Sequence, residues 1–148
     1  MSADPKSVVQ RLYDEVWNKR KIQILGELVS PSHSLNVPSP FGSAVGPEAY
    51  KQVVASFMIG FPDFRFVVED IITDKNNVVC RWTFAGTHKG EYRGVPATNK
   101  KVSVDGITMH HLTDGRIMDT YSSWDVWGLM QQLGVVRELG QPRSVPAR

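Results

Sequence analysis

The chain has 148 residues, a length that suits one domain and argues against two. Apolar residues make up 41% of the chain and charged residues 22%, which is typical of a globular protein and excludes a disordered one. Its 17 basic and 15 acidic side chains give a net charge of +2, which belongs to residues 137–148, because residues 1–136 are neutral. A body without net charge lacks the basic bias of nucleic-acid-binding proteins, so we expect no nucleic-acid partner.

Further exclusions concern membranes, compartment and cofactors. No apolar run approaches the roughly 18 residues of a membrane span, and the N-terminus lacks the apolar segment of a secretory signal. Cys80 is the only cysteine, which excludes an internal disulfide and a cysteine-rich zinc site. No spacing of His, Asp and Glu is typical of a metal site, and no glycine loop is typical of phosphate binding. We therefore expect a cytoplasmic protein without membrane contact, metal or cofactor.

The first half of the chain is predicted to be mainly helical. Asp4-Pro5 is typical of a helix start, and apolar residues then recur at helical spacing as far as Trp17. A short second helix ends at Ser30-Pro31, and residues 33–37 fit a short strand. After a loop rich in proline and glycine, a third helix is predicted over residues 47–61.

The second half is predicted to be a meander of four antiparallel strands followed by a short helix. The strands are expected at residues 64–73, 78–88, 102–113 and 116–124, and the helix at residues 126–133. Helices followed by antiparallel strands indicate an α+β fold. A strongly curved antiparallel sheet of this kind can wrap around the helices and leave a cavity between them. Residues 1–136 would form this single domain, and residues 137–148 a flexible or partner-docked tail.

Seven short motifs, in their order and spacing, resemble one known family. They are RLYDEVWN at 11–18, GPE at 46–48, FPDF at 61–64, GTHKGE at 86–91, GVPAT at 94–98, DGRI at 114–117 and GLMQQLG at 128–134. Together they resemble the SnoaL-like polyketide cyclases, which belong to the nuclear transport factor 2-like superfamily of α+β cones. The resemblance runs from about residue 8 to residue 134.

The resemblance implies an apolar pocket, usually in a homodimer, and cofactor-free ring closure of a polyketide by an intramolecular aldol step. In that family an aspartate on the last strand is the general acid and base, and a histidine on the neighbouring strand helps to bind substrate. Alignment on Asp114-Gly115 puts Ser122 at the aspartate position and Thr108 at the histidine position. Serine has no useful basicity without a partner base, so the family mechanism does not transfer directly.

The register of the last hairpin decides which side chains share the cavity face. A three-residue turn at 114–116 places Thr108 opposite Ser122 and His110 opposite Thr120. A two-residue turn would shift every pair by one residue. We prefer the first register because it brings the two family positions together.

His110 is the group in this cluster that exchanges protons near pH 7. One hypothesis is that His110 acts as base or donor while Ser122 and Thr108 bind a substrate carbonyl. The alternative is that His110 is a structural strand histidine, the more common role of a lone histidine. Asp125 is a further catalytic candidate, although its position before the last helix also fits an N-cap.

The other candidates lie on segments that line the pocket in this family. They are Tyr13, Trp17, Asn36, Phe57, Phe61, Trp82, Thr120 and Trp124. Their aromatic character suits a ligand pocket, which is largely apolar with few polar anchors. On the outer face of the sheet we expect the apolar side chains of Ile107, Met109, Ile117 and Tyr121, which would suit a dimer contact.

The function expected from these residues and the resemblance is a cofactor-free enzyme. It would act on a hydrophobic, carbonyl-bearing, polyketide-like molecule by cyclisation, isomerisation or related proton transfer. Three alternatives remain: a non-catalytic protein that binds a hydrophobic ligand, a cofactor-independent hydroxylase-type relative, and a dimeric interaction module.

Overall fold

The computed structural model describes residues 4–38, 41–137 and 140. Apart from Arg137 and Gly140, the predicted tail therefore lies outside the described residues. The helical segments are α1 (Pro5–Arg11), a π-helical continuation (Leu12–Asn18), a 3-10 turn (Ile22–Ile24), α2 (Leu25–Leu28), α3 (Pro47–Gly60) and α4 (Val126–Leu133). None of these helices is both long enough and apolar enough to cross a membrane.

Within the described part of the chain, six strands form one curved, unclosed sheet. They are β1 (Val29–Asn36), β2 (Ser43–Val45), β3 (Arg65–Asp74), β4 (Asn77–Thr87), β5 (Lys101–Thr113) and β6 (Arg116–Trp124), in the order β2-β1-β6-β5-β4-β3. The antiparallel meander β3–β6 is confirmed. β1 joins β6 in parallel, so the sheet is mixed, and β2 extends it within a segment predicted to be loop.

Local chemistry fixes the ends of the first and last helices. The Asp4 carboxylate accepts a hydrogen bond from the Ser7 backbone N–H at 3.3 Å, which caps α1 as predicted. The Asp125 carboxylate accepts one from the Gly128 N–H at 2.8 Å and caps α4. The π-helical continuation buries Tyr13 and Trp17, because its wide turns hold residues four and five apart on one face. It thereby turns both rings towards the sheet.

The β5–β6 hairpin has the expected register but a different turn. Thr108 pairs with Ser122 and His110 with Thr120, as predicted. The turn itself has two residues, so the expected three-residue turn is wrong. An extra residue in β6, Met118, forms a bulge that shifts the pairing by one and restores the register beyond it.

The same bulge places Ile117 in the core. Ile117 is fully buried opposite Leu112, whereas Tyr121 beyond the bulge is 51% exposed. The expectation that Ile117 lies on the outer face with Tyr121 is therefore wrong. A regular strand alternates its side chains with period two, and a bulge reverses that alternation.

Candidate functional site

A cavity between the concave face of the sheet and the helices is the candidate site. It has a volume of about 60 Å³, which is room for about four water molecules. Its wall is mostly aromatic and aliphatic, with hydroxyl groups at one side. We call this space the main cavity.

Two hydroxyl groups of the hairpin form a hydrogen-bonded pair in the wall of the main cavity. Thr108 Oγ1 and Ser122 Oγ lie 3.0 Å apart, and the Trp82 indole N–H donates to Thr108 Oγ1 at 2.8 Å. When Thr108 donates to Ser122, the Ser122 O–H remains free to donate to a ligand. Such a series of donors polarises its last member, so Ser122 is well placed to bind an oxygen that carries negative charge.

Four buried side chains form a continuous hydrogen-bonded chain that begins in the wall of the main cavity and runs behind it. Tyr13 Oη lies 2.9 Å from His110 Nε2, and His110 Nδ1 lies 3.1 Å from Thr120 Oγ1. Thr120 Oγ1 in turn lies 2.8 Å from His33 Nε2. None of the four residues is more than 3% exposed. We call this series the Tyr13–His33 relay.

The relay is electrically neutral over the range in which most enzymes work. Burial lowers the pKa of His110 to about 3, and the neighbouring His33 contributes to that shift. Burial also lowers the pKa of His33 to about 4, against a smaller opposing effect of the Asp119 charge. Burial raises the pKa of Tyr13 well above its ordinary value. From the sequence we expected His110 to titrate near pH 7, but its buried surroundings lower its pKa far below that.

Eight of the sequence-predicted residues lie in the wall of the main cavity. They are Tyr13, Trp17, Phe57, Trp82, Thr108, Thr120, Ser122 and Trp124. The hairpin register brings the last strands' members together, and the π-helical segment contributes the first two. Thr108, Thr120 and Ser122 lie on the neighbouring strands β5 and β6, and Tyr13 faces them across the cavity from the π-helical segment.

The other four predicted residues are absent from that wall. His110 lies behind Tyr13 and Thr120. Asn36 donates its side-chain amide to Ser34 Oγ and to the Thr120 carbonyl oxygen instead of to the cavity. Phe61 packs into an adjoining aromatic cluster, edge-on to Phe84 at 5.6 Å. Asp125 is exposed and occupied as the N-cap of α4, so its carboxylate does not reach the cavity.

His33 is the polar residue that sequence reasoning missed. It lies on β1, whose parallel pairing with β6 joins residues 87 positions apart in the chain. Nothing in the local pattern of β1 indicates that partner. The remaining wall residues are apolar or aromatic side chains whose inward direction follows from helical or strand periodicity: Leu35, Val37, Tyr50, Val53, Phe66, Phe84 and Val104.

No group of three or more His, Cys, Asp or Glu side chains suited to hold a metal ion is found among residues 4–38, 41–137 and 140. The chemistry of the site is instead that of hydroxyl groups, an indole N–H and a buried neutral imidazole. Such groups polarise carbonyls and pass protons over short distances.

The family model described as SnoaL-like polyketide cyclase matches residues 7–133. The chain belongs to the SnoaL-like polyketide cyclase family. An aklanonic acid methyl ester cyclase of Streptomyces peucetius is 31% identical to it over 103 residues, which are 68% of this chain and 66% of that protein. The chain thus aligns with slightly less than two thirds of that relative's length.

Solved structures agree with the family assignment. A protein from Jannaschia sp. CCS1 assigned to the SnoaL-like polyketide cyclases superposes with a TM-score of 0.82 at 25% identity, covering 90% of this chain and 93% of that one. IdmH from Streptomyces antibioticus, assigned as a polyketide cyclase, gives a TM-score of 0.78 at 28% identity, covering 89% and 99%. Within this SnoaL-like fold, the wall carries Ser122 and Thr108 where the resemblance places an aspartate and a histidine.

Proposed function

We propose that this SnoaL-like protein is a cofactor-free enzyme that binds a hydrophobic, carbonyl-bearing molecule of polyketide type. It moves a proton next to that carbonyl and so promotes cyclisation or isomerisation. The observation that carries the proposal is Tyr13, which lines the main cavity and whose hydroxyl lies 2.9 Å from His110 Nε2. The relatives named as polyketide cyclases support the substrate class.

In this proposal Ser122 binds the carbonyl oxygen. The Ser122 O–H donates to that oxygen while Thr108, itself held by the Trp82 indole, donates to Ser122. Negative charge grows on the oxygen when the adjacent carbon loses its proton, and a preorganised donor stabilises that charge.

Tyr13 and His110 move the proton. The bond between the α-carbon and its hydrogen breaks, and the hydrogen passes to Tyr13 Oη as the phenolic proton passes to His110 Nε2. The resulting enolate attacks a second carbonyl of the same substrate, and the alkoxide formed takes the proton back from Tyr13, which recovers its own from His110. In an isomerisation the proton returns to a different carbon. Both routes leave the enzyme unchanged.

The buried imidazole is a weak base until the substrate carries charge. Burial lowers the pKa of His110 to about 3 in the unliganded protein. An enolate in the same apolar space favours the imidazolium, because an opposite charge within a few ångströms raises the pKa of a cationic group. His110 acts through Tyr13, so we regard it as a positioning residue and Tyr13 as the catalytic residue.

Deuterium uptake by the ketone 2-tetralone in D₂O, followed by NMR, tests this proposal. We expect the wild-type protein to accelerate exchange at the α-carbon, and Tyr13→Phe to lower the rate by about 100-fold, a typical contribution of one acid–base group. Ser122→Ala should also lower it, by about tenfold or more, because a charge-stabilising donor is lost.

Tyr50→Phe is the matched control. Tyr50 also lies buried in the cavity wall, but its hydroxyl contacts the Trp17 indole at 3.4 Å and no histidine nitrogen. This variant should retain the wild-type exchange rate. If the wild-type protein leaves exchange at the buffer rate, or if Tyr13→Phe exchanges as fast as wild type, the proton-transfer role is wrong.

A binding protein without turnover is the second candidate, and one observation favours it. Among the described residues that line the main cavity, none is Asp, Glu, His, Lys or Arg. Such a wall suits retention of a neutral hydrophobic ligand. Saturable binding of 2-tetralone with no accelerated exchange would identify this function.

We also propose that the protein is a homodimer that buries the outer face of the sheet. Ile72, Val79, Met109 and Tyr121 are cross-strand neighbours in β3, β4, β5 and β6. They form an apolar row that runs across four strands. The most exposed residue of the row is Ile72, at 65%. An apolar row of this length on a sheet face is typical of a surface covered by another protein.

A further inference from the structure

A second cavity of about 50 Å³ adjoins the main cavity. The two share five wall residues: Leu35, Val37, Val53, Phe57 and Trp124. The two spaces therefore have a common wall, which includes Phe57 and Trp124. A ligand larger than a few water molecules needs both.

Arg93 is the one charged side chain among the described residues that line either cavity. Its guanidinium carbon lies 4.0 Å from the centre of the Phe41 ring. Phe41 in turn stacks on Trp124, with ring centres 5.5 Å apart and planes within 6°. Arg93 thus reaches the shared wall through two stacked rings.

One edge of the Arg93 guanidinium lies within hydrogen-bonding reach of the Tyr92 hydroxyl, and the stacking leaves its other N–H groups available. A guanidinium that lies with its face on an aromatic ring keeps its N–H groups along its edge, in a fork that matches a carboxylate. None of the five ion pairs formed by the described residues includes Arg93. Its charge has no acidic partner in either cavity wall, since none of the described residues that line them is Asp or Glu.

The backbone holds Arg93 in place at some cost. Tyr92 and Val95 exchange backbone hydrogen bonds of 3.0 and 2.9 Å around the turn formed by Arg93 and Gly94. Both turn residues have positive φ, 47° and 83°, a conformation that glycine adopts freely and arginine does not. Tyr92, only 1% exposed, anchors the turn against the ring of Phe57. This turn holds the Arg93 backbone in a conformation that is uncommon for a residue with a side chain.

Arg20 shows what a structural arginine with positive φ looks like in the same chain. Its φ is 62°, and its guanidinium donates to backbone carbonyl oxygens, including that of Phe64 at 2.7 Å. Those bonds close a turn and explain its position. Arg93 instead lines a cavity and lies near the Tyr92 hydroxyl. Burial raises the pKa of Tyr92 to about 12, and the charge of Arg93 opposes that rise.

We propose that the second cavity is the subsite for a carboxylate carried by the ligand, and that Arg93 binds it. The ligand class is then a hydrophobic carbonyl compound with an acid group at the opposite end from the carbonyl that meets Ser122. This inference rests on the proposed function for the role of the main cavity. The neutral wall of the main cavity alone would suit an uncharged ligand. The Arg93 subsite instead predicts a ligand with a negatively charged group.

Calorimetric titration with 2-naphthoate and with 2-naphthamide tests the subsite. The two probes share a ring system and differ in charge. The wild-type protein should bind the carboxylate about fivefold more tightly than the amide, as expected for a partly exposed ion pair, and added salt should reduce the difference. Arg93→Gln should bind both probes equally, whereas Arg93→Lys should keep part of the preference.

Arg65→Gln is the control, because it removes an exposed arginine that lines neither of these cavities. It should keep the full preference for the carboxylate. Equal binding of the two probes by the wild-type protein, binding of neither, or a preference that survives Arg93→Gln would overturn the subsite. The exchange of 2-tetralone, a ketone without a carboxylate, tests the proposed function separately.

Discussion

The two buried histidines, His33 and His110, make the stability of the fold sensitive to acid. In the unfolded chain a histidine takes up a proton below a pH of about 6.5. In the folded protein burial lowers the pKa values to about 4 and about 3. Between pH 6.5 and about 4 the unfolded state therefore binds more protons, so the stabilising effect is complete above pH 6.5 and is lost as the pH falls.

Urea unfolding at about pH 7.5 and about pH 5 measures this effect. We expect the free energy of unfolding to fall by up to about 3 kcal/mol per pH unit, because each histidine contributes at most about 1.4 kcal/mol. His110→Gln should be less stable at pH 7.5 but should lose less on acidification. Asp63, whose pKa is lowered by hydrogen bonds from Thr87, titrates below this range. Equal stability at the two pH values would contradict the expectation.

At the scale of the element, Gly106 on β5 allows the Trp82 indole to cross the strand and reach Thr108. A Cβ atom at residue 106 would collide with that indole and lie 2.7 Å from the Trp124 Cβ. Gly106→Ala should therefore lower the free energy of unfolding by about 2–4 kcal/mol, through overpacking and loss of the indole hydrogen bond. Denaturant unfolding with tryptophan fluorescence measures both the stability and the displaced indole.

Gly26→Ala is the matched control for that substitution. Gly26 lies in α2, and a Cβ atom there would meet nothing within 4 Å. Alanine is the better helix former, so this variant should be as stable as wild type or slightly more stable. If Gly106→Ala has the same free energy of unfolding as Gly26→Ala, the close packing of Trp82 on β5 does not hold the Thr108–Ser122 hydroxyl pair in place.

The elements also show how far sequence reasoning reaches. Periodicity located α4 at its observed bounds and each meander strand to within a residue, because amphipathic patterns are local. The register of β5 on β6 was also predicted, although it arises from a two-residue turn and a bulge at Met118 instead of a three-residue turn. A bulge has no local signal here, so its effect on Ile117 was not predictable.

Longer-range features of the whole molecule were harder to predict. The α+β class followed from the order of helices and strands, and the cone from the family resemblance, but neither predicted the parallel pairing of β1 with β6. That pairing brings His33 to Thr120 and lengthens the relay by one imidazole. The low pKa of His110 is likewise a property of the assembled core, because burial is decided by every element that covers the ring.

The outer face of the sheet carries the prediction that concerns the whole molecule. Met109 and Tyr121 face each other in the apolar row and are 41% and 51% exposed. Replacing either by lysine places a charge in the contact of the proposed homodimer, which is costly to bury. In sedimentation equilibrium at micromolar concentration, we expect wild type at twice the mass of one chain and both lysine variants at the mass of one.

Ile59→Lys separates this effect from a general change in surface polarity. Ile59 is 64% exposed, like the residues of the row, but it lies on α3, on the opposite side of the sheet. Because it adds the same charge away from the proposed contact, this variant should remain dimeric. Dissociation of all three variants would point to a different contact, and a wild-type monomer would exclude the homodimer.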